Sequence, residues 1–341
     1  IELIKNKNIQ TNWLHIYSKY EAFATTSQTS SLLQKINEKQ KNMNFHFTQF
    51  ANLNIKICIS VLKDSFKLSN LFSKFPINDF SISYKGSNIN YWPLFKLDFK
   101  KSFDFKHLIV NLINVSFYEN LSYQLAQQDK IIYLQENQSW EMPLIHFLKY
   151  EGQSSLIGFP HASIRFWDLR YFFSYESFND IKLNSKPRPH FVAVNGPVLK
   201  NLLISSRYPK NELINVESLR YFHLLKNSTI QKTKFIKKTS PTILILGDYL
   251  QANNFRLLSL LDKASYYLPF NTVYLYKPHP SLIKLNYKLK NIKLNISNVQ
   301  LKTLLDQSNI VYSSNQTSAS LDAYYTGTPV IISLFSEILN L

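Results

Sequence analysis

The chain has 341 residues, 45% of them hydrophobic, and its 39 Lys and Arg against 22 Asp and Glu give a formal charge of +17. That length holds two ordinary domains of roughly 100–150 residues each. The lysines are scattered through a composition rich in Asn, Ile, Phe and Tyr, with no helix-turn-helix, zinc-finger or RNP-type aromatic pattern beside them, so the charge argues for an acidic lipid surface or an anionic substrate rather than nucleic acid.

Cys58 is the only cysteine, which excludes an internal disulfide framework and a Cys-based zinc site. It sits in the apolar run Ile55 to Val61, expected to be a strand in which the thiol is a small buried hydrophobe. No apolar run approaches the ~18–20 residues of a bilayer span, and the N-terminal residues lack the apolar centre of a signal peptide, so a cytoplasmic protein is expected. The sequence starts without Met and stops at Leu341 just after a predicted strand, as a fragment would.

An amphipathic stretch around Ser30 to Lys41 precedes the Cys58 run, and aromatic-rich segments such as Asn90 to Phe105 follow it. From Phe105 the rhythm is clearer. Residues 105–128 have helical periodicity, Lys130 to Leu134 (KIIYL) form a strand, and Asn137 to Tyr150 form a helix with Gly152 at a C-terminal cap position. SSLIG and HFVAV are the next strands, and the turn Asn195-Gly196-Pro197 opens another helix. Residues 226–241 are polar, basic and without apolar periodicity, hence a linker. Beyond it the pattern restarts: strand 242–246, helix 252–268, strand 272–276, strand-like 292–296, helix 299–307, strand 309–312, helix 317–326 and strand 329–332. Strands alternating with helices imply parallel sheets. The expected domains are 1–225, Rossmann-like, and 242–341, joined by the linker and cut short at the C-terminus. Gly158, Gly196, Gly247 and Gly327, four of only six glycines, all fall beside strand-like runs.

Two segments carry the functional argument. Lys277-Pro278-His279-Pro280-Ser281 follows one predicted strand, and Ser313-Ser314-Asn315-Gln316-Thr317-Ser318 follows another. Ligands of open α/β sheets sit beyond the carboxyl ends of the strands. A cation and an imidazole held between prolines, with hydroxyls leading into a helix N-terminus, suit a phosphate. Taken separately, each segment also has a plain structural meaning, a turn and a helix cap.

The middle of the chain holds Glu136-Asn137-Gln138-Ser139-Trp140-Glu141, Gly158-Phe159-Pro160-His161 leading into Arg165-Phe166-Trp167-Asp168-Leu169-Arg170-Tyr171, Val194-Asn195-Gly196-Pro197, and Glu217-Ser218-Leu219-Arg220-Tyr221. In these runs the chain resembles bacterial surface-carbohydrate (capsule and polysaccharide) biosynthesis proteins of the GT-B glycosyltransferase type. The resemblance covers roughly residues 130–341, specific in the middle and generic at the C-terminus. It implies two Rossmann-like doubly wound parallel-sheet domains facing a cleft. The Lys-Pro-His-Pro and Ser-Ser pair is more distantly similar to motifs of bacterial sialyltransferases and Kdo transferases, in which the histidine and hydroxyls hold the donor phosphate and no metal is required. Carried over, Lys277 and His279 stabilise the phosphate leaving group, with Ser281, Ser313, Ser314, Thr317 and Ser318 around it. The acidic-acidic-glycine motif of sialyltransferases is missing, which leaves donor and base open.

An inverting sugar transfer needs a base for the acceptor hydroxyl. Glu136, directly after KIIYL, is the favoured position, with support of the helix start as the alternative. Glu141 either shares the cleft mouth or caps the helix, and His161 follows SSLIG toward the same cleft. Asp168 forms an ion-pair network with Arg165 and Arg170 or takes part in proton transfer. Arg165, Arg170 and Asn195 are candidates for the acceptor. The expected activity is metal-independent transfer from a nucleotide-sugar, possible CMP-linked donors included, to a glycan or lipid-linked glycan, with no other cofactor and with peripheral contact at an anionic inner membrane. A CDP-glycerol-type glycerophosphotransferase and a non-catalytic carbohydrate- or nucleotide-binding subunit of a capsule assembly complex are the alternatives.

Overall fold

The computed structural model describes residues 9–17, 19, 24–40, 44–49, 53–83, 86–125, 128–150, 154–160, 164, 170–172, 187–217, 240–281 and 287–334. They fall into two compact units, one drawn from 1–161 with 173–193, the other from 162–172 with 194–341. The division thus comes ahead of the expected linker 226–241, of which only Ser240 and Pro241 are described.

In the first unit, β1 (Thr11–His15) and β2 (Asn44–Thr48) pair in parallel around α1 (Thr26–Lys39). Thr25 caps α1 by accepting from the Gln28 N–H at 3.2 Å. His15 and His46 lie on adjacent strands with Nε2 and Nδ1 3.0 Å apart. Burial lowers both of their pKa values, and the charge of His46 lowers that of His15 further.

The Cys58 run is a correction: residues 55–61 open the helix α2 (Ile55–Ser73), capped by the Asn54 side chain, and Cys58 is exposed. Ile57 and Val61, four residues apart, are the buried pair. A short apolar run fits either a buried strand or one side of a helix, and here the cap and the length decide it. Two further helices, α3 (Trp92–Ser102) and α4 (Phe105–Gln124), follow. Phe72, Phe75, Phe80, Trp92, Phe99 and Phe103 form a contiguous aromatic cluster at the α2–α3 junction.

Strands β3 (Lys130–Leu134), β4 (Ser155–Phe159) and β5 (Phe191–Val194) lie side by side in parallel, with α5 (Glu141–Tyr150) between β3 and β4. Their core joins Phe117, Tyr118 and Leu121 of α4 to Leu144, Ile145 and Leu148 of α5 and to Tyr133 and Leu156 of the sheet.

The second unit includes α6 (Pro197–Ser205), β6 (Leu213–Asn215) and a five-stranded parallel sheet. The strands are β7 (Thr242–Leu246), β8 (Val273–Lys277), β9 (Leu294–Ile296), β10 (Ile310–Ser314) and β11 (Val330–Ser333), with α7 (Gln251–Ala264), α8 (Leu301–Gln307) and α9 (Ala319–Tyr325) between them. Across the sheet the order is β9-β8-β7-β10-β11. The chain therefore winds outward from β7 in one direction and then returns to wind outward in the other, the doubly wound topology of Rossmann-like folds. Every residue of β7 is buried, as a central strand covered on both faces requires. Ile243 and Ile245 point into a core with Leu257, Leu258 and Leu261 of α7, while Leu244 and Leu246 point into one with Leu304 and Leu305 of α8 and Ala323 of α9.

Candidate functional site

A doubly wound sheet opens a crevice where its winding direction reverses, here between β7 and β10. Register aligns the strand ends: Leu246 pairs with Lys277 on one side and Ser313 on the other. Gly247-Asp248, Pro278-His279 and Asn315-Gln316 consequently leave three adjacent strands at one edge, with Ser314 the last residue of β10.

Asp248 organises that edge. It is 1% exposed. Its Oδ1 accepts from the Leu250 N–H at 2.9 Å, and its Oδ2 accepts from Ser314 Oγ at 2.5 Å and Asn253 Nδ2 at 3.2 Å. The Ser314 bond spans the crevice between β7 and β10. Asn254 accepts from the Asp248 N–H and donates to the Asp248 carbonyl, fixing the strand end onto the first turn of α7. Burial, then the charges of Tyr287 and Asp248, pushes the Tyr276 hydroxyl above its ordinary range, so it stays protonated and donates to Asn254 Oδ1 at 3.0 Å.

Gly247 is obligatory on space. Its N–H bonds the Lys277 carbonyl at 2.9 Å, and a Cβ there would lie 2.6 Å from Tyr276 Oη and 3.0 Å from the His279 backbone nitrogen. The missing side chain lets the 277–279 turn press against the end of β7.

The expected phosphate-binding residues divide. The half-buried His279 accepts from the Ser281 N–H through Nδ1, which also pairs with Ser281 Oγ at 2.7 Å. In the neutral ring this puts the proton on Nε2 and makes that nitrogen a donor. The Tyr249 ring stands edge-on to His279 at 6.2 Å. The Lys277 ammonium donates to the Val299 carbonyl at 2.7 Å, so it ties β8 to the segment before α8.

Ser313 and Ser314 do not form one hydroxyl pair. Both lie inside β10, and successive strand residues point to opposite faces. Ser314 turns to the α7 side, where Asp248 is, while Ser313 shares the other face with Val311 and is buried with no hydrogen-bond partner for its Oγ. Thr317 and Ser318 precede α9, seven residues long, and Thr317 Oγ1 accepts from the Ala319 N–H at 3.4 Å. The helix starts two residues later than expected.

In the first unit, α5 begins at Glu141 rather than Asn137, and residues 135–138 form a loop closed around the Glu141 carboxylate. Its Oε1 accepts from the N–H groups of Glu136 (2.8 Å) and Gln138 (3.0 Å), and its Oε2 from that of Asn137 (3.0 Å). Asn137 takes φ 55° to complete the turn. Glu141 is 0% exposed, and burial raises its pKa despite the three amides, with the Glu136 charge adding to the rise. The same burial, with the Glu141 charge behind it, raises the pKa of the neighbouring Tyr118 hydroxyl.

Both Glu141 oxygens are thus occupied by backbone, which makes it a loop clamp. Of the two readings of Glu141, a share in the cleft mouth or a cap at the helix start, these hydrogen bonds are those of the cap. Glu136, by contrast, is half-buried at the C-terminal end of β3, and its Oε2 accepts from Gln138 Nε2. His161, Arg165 and Asp168 lie outside the described residues. Arg170 is exposed with its guanidinium 5.9 Å from the Tyr171 ring centre, and Asn195 is half-buried in the turn before α6.

Sequence reasoning passed over Asp248, Asn253, Asn254 and Tyr276. A signal was present for three of them: a carboxylate directly after the strand-ending Gly247, and two asparagines, poor helix formers, in the first turn of a helix. Tyr276 looked like any strand aromatic. Among the described residues no three His, Cys, Asp or Glu side chains converge as a metal site would.

No family model matches the chain, and no curated protein matches its sequence. Among solved structures, the UDP-N-acetylglucosamine 2-epimerase of Rickettsia bellii is similar with a TM-score of 0.44 and 12% identity, over 94% of this chain and 78% of that one. The UDP-GlcNAc 2-epimerase of Neisseria meningitidis bound to UDP-GlcNAc gives 0.43 and 14%, over 95% and 82%. Acinetobacter baumannii MurG gives 0.42 and 9%, over 97% and 80%.

Proposed function

We propose that this chain is a GT-B-type glycosyltransferase of bacterial surface-polysaccharide assembly, taking its sugar from a nucleotide-activated donor held by the second unit. The supporting observation is the edge at the β7/β10 reversal, where His279 presents an Nε2–H donor beside the exposed ring of Tyr249. A hydrogen-bond donor to phosphate next to an aromatic surface for a base is the pair of features a nucleotide needs. Asp248 and Ser314 hold the strand ends in register beneath it. Glu136 is the proposed base, taking the acceptor hydroxyl proton as the nucleotide leaves. The resemblance to enzymes using CMP-sugars supports a metal-independent reaction with no other cofactor. A glycan or lipid-linked glycan is the proposed acceptor, met at the face of an anionic membrane.

Calorimetric titration with CMP, CDP, UDP and GDP tests the donor site. His279→Ala is expected to weaken binding of the preferred nucleotide about tenfold or more, as loss of a hydrogen bond to a charged phosphate does, while leaving the thermal midpoint nearly unchanged. Equal affinity in both proteins would remove the phosphate from this loop. With a donor in hand, Glu136→Gln should lower turnover about 10²–10⁴-fold with donor affinity intact. Surviving turnover would move the base elsewhere.

A further inference from the structure

Helix α2 carries two apolar faces. The inner one contains the buried Ile57, Val61 and Ser65. The outer one is a row formed by Ile55, Ile59, Leu62 and Phe66, which are 76%, 61%, 47% and 72% exposed. The spacing i, i+4, i+7, i+11 places these four side chains in one stripe along the helix. Lys56, Lys63 and Lys67 each follow a member of that stripe by one residue, so an exposed lysine row runs parallel to it, about 100° around the axis. The one acidic residue of the helix, Asp64, lies on the side away from the stripe, 4.0 Å from Lys67 in an exposed pair.

We infer that this outer face of α2 docks on an anionic lipid bilayer, lying in the plane of the surface. An exposed apolar row flanked by lysines and clear of acids is what an interfacial helix presents: the apolar side chains enter the headgroup boundary and the lysine stems reach up to the phosphates. Each lysine near such a surface adds a favourable term that salt weakens. The formal charge of +17 opposes a second copy of the chain on the same face and favours an anionic partner. No helix among the described residues is long and apolar enough to cross a membrane, so this contact is peripheral. The inference locates the membrane contact of the proposed function on a particular helix, and it is tested without nucleotide, so its failure leaves the donor site untouched.

The experiment is flotation of the full chain with phosphatidylcholine vesicles, with and without phosphatidylglycerol. The parent is expected to float with the anionic vesicles and far less with the neutral ones. Ile59→Ser with Phe66→Ser keeps every charge and should weaken that partition about tenfold or more. Lys56→Gln, Lys63→Gln and Lys67→Gln together should do the same. Tyr267→Ser with Phe270→Ser, exposed apolar residues of the other unit, should change nothing. All of these positions are exposed, and unchanged circular dichroism and thermal midpoints are expected to show that the fold persists. Failure of the parent to float, or equal flotation of the Ile59/Phe66 variant, would overturn the inference. So would a dimer in sedimentation equilibrium that the Ile59/Phe66 changes abolish, which would make a second copy the occupant.

Discussion

The loop after β3 and the loop after β7 solve the same local problem with different partners. Each begins where a parallel strand ends, and each closes around a carboxylate removed from water: Glu141 in the first unit, Asp248 in the second. Among the described residues neither has a cation within salt-bridge distance. Glu141 is held by three backbone N–H groups, whose directions the chain itself fixes. Asp248 is held by one backbone N–H and two side chains, Ser314 and Asn253, which can turn over and exchange donor for acceptor. The first arrangement can only hold a loop. The second holds one and can also rearrange its hydrogens, as the proposed donor edge would need.

The comparison breaks most visibly at Glu141→Ala, which takes the acceptor from three N–H groups in part-buried hydrogen bonds at once. Each unsatisfied donor costs about 1–3 kcal/mol, so a loss of at least ~3 kcal/mol in urea unfolding is expected. A loss under ~1 kcal/mol would mean that the 135–138 loop is held by something other than this carboxylate.

Gly247→Ala tests the close approach in the second loop. The new methyl meets Tyr276 Oη and the His279 backbone nitrogen. Overpacking of this kind typically costs about 1–3 kcal/mol. Because the obstruction is partly backbone, the 277–279 turn has to move, and nucleotide affinity should fall along with stability. If affinity holds while stability falls, the turn is not part of the binding edge.

Isosteric amides sharpen the contrast. Glu141→Gln sets an NH₂ group against a fixed backbone N–H whichever way the amide is turned, because both carboxylate oxygens accept from backbone. Asp248→Asn can direct its oxygen to the Leu250 N–H and its NH₂ to Ser314 and Asn253, both of which can reorient to accept. The glutamine variant is therefore expected to lose about 1–2 kcal/mol more than the asparagine variant in paired urea titrations. Equal losses would show that the Asp248 network is as rigid as the other.

The sheet was legible because its strands are apolar and its punctuation is sparse. KIIYL and TILIL match β3 and β7 residue for residue. For β7 the reason is burial on both faces, which leaves an unbroken apolar run; β3 leaves Ile132 and Leu134 exposed and is marked instead by the apolar run Ile131 to Leu134 that ends at Gln135. Helix starts were less legible. The α5 start was placed four residues early because Glu136 to Trp140 carry nothing that breaks a helix, and only the reach of Glu141 back to three amides shows that they form a loop. Cys58 was misplaced because both faces of α2 are apolar, which hides the 3.6-residue period from a reading that expects one polar side. At the site, the His279 turn could be read from its prolines. The separation of Ser313 from Ser314 needed the strand to extend two residues further than its apolar run, and hydroxyl residues are no guide to where a strand stops.

The smallest expected effect concerns pH and brings in a third carboxylate. Asp262 of α7 also clamps a loop through three backbone amides, those of Lys290, Asn291 and Ile292, at 2.8–3.1 Å. Burial pushes its pKa up, but the three amides and the Lys290 charge outweigh that, and the net shift is downward from 3.8. For Glu141 burial wins over the amides, and the shift is upward from 4.5. The signs separate the two. A raised carboxylate contributes fully below its unfolded pKa and loses that contribution as pH rises through the folded value; a lowered one contributes fully above its unfolded pKa and loses it as pH falls through the folded value. Replacing each by its amide removes the titration. The cost of Glu141→Gln relative to the parent should therefore be larger near pH ~4 than near pH ~7, and the cost of Asp262→Asn larger near pH ~5 than near pH ~2.5, both read from urea midpoints. If the two costs change in the same direction with pH, the balance of burial against amides does not differ in sign between Glu141 and Asp262 as the comparison requires.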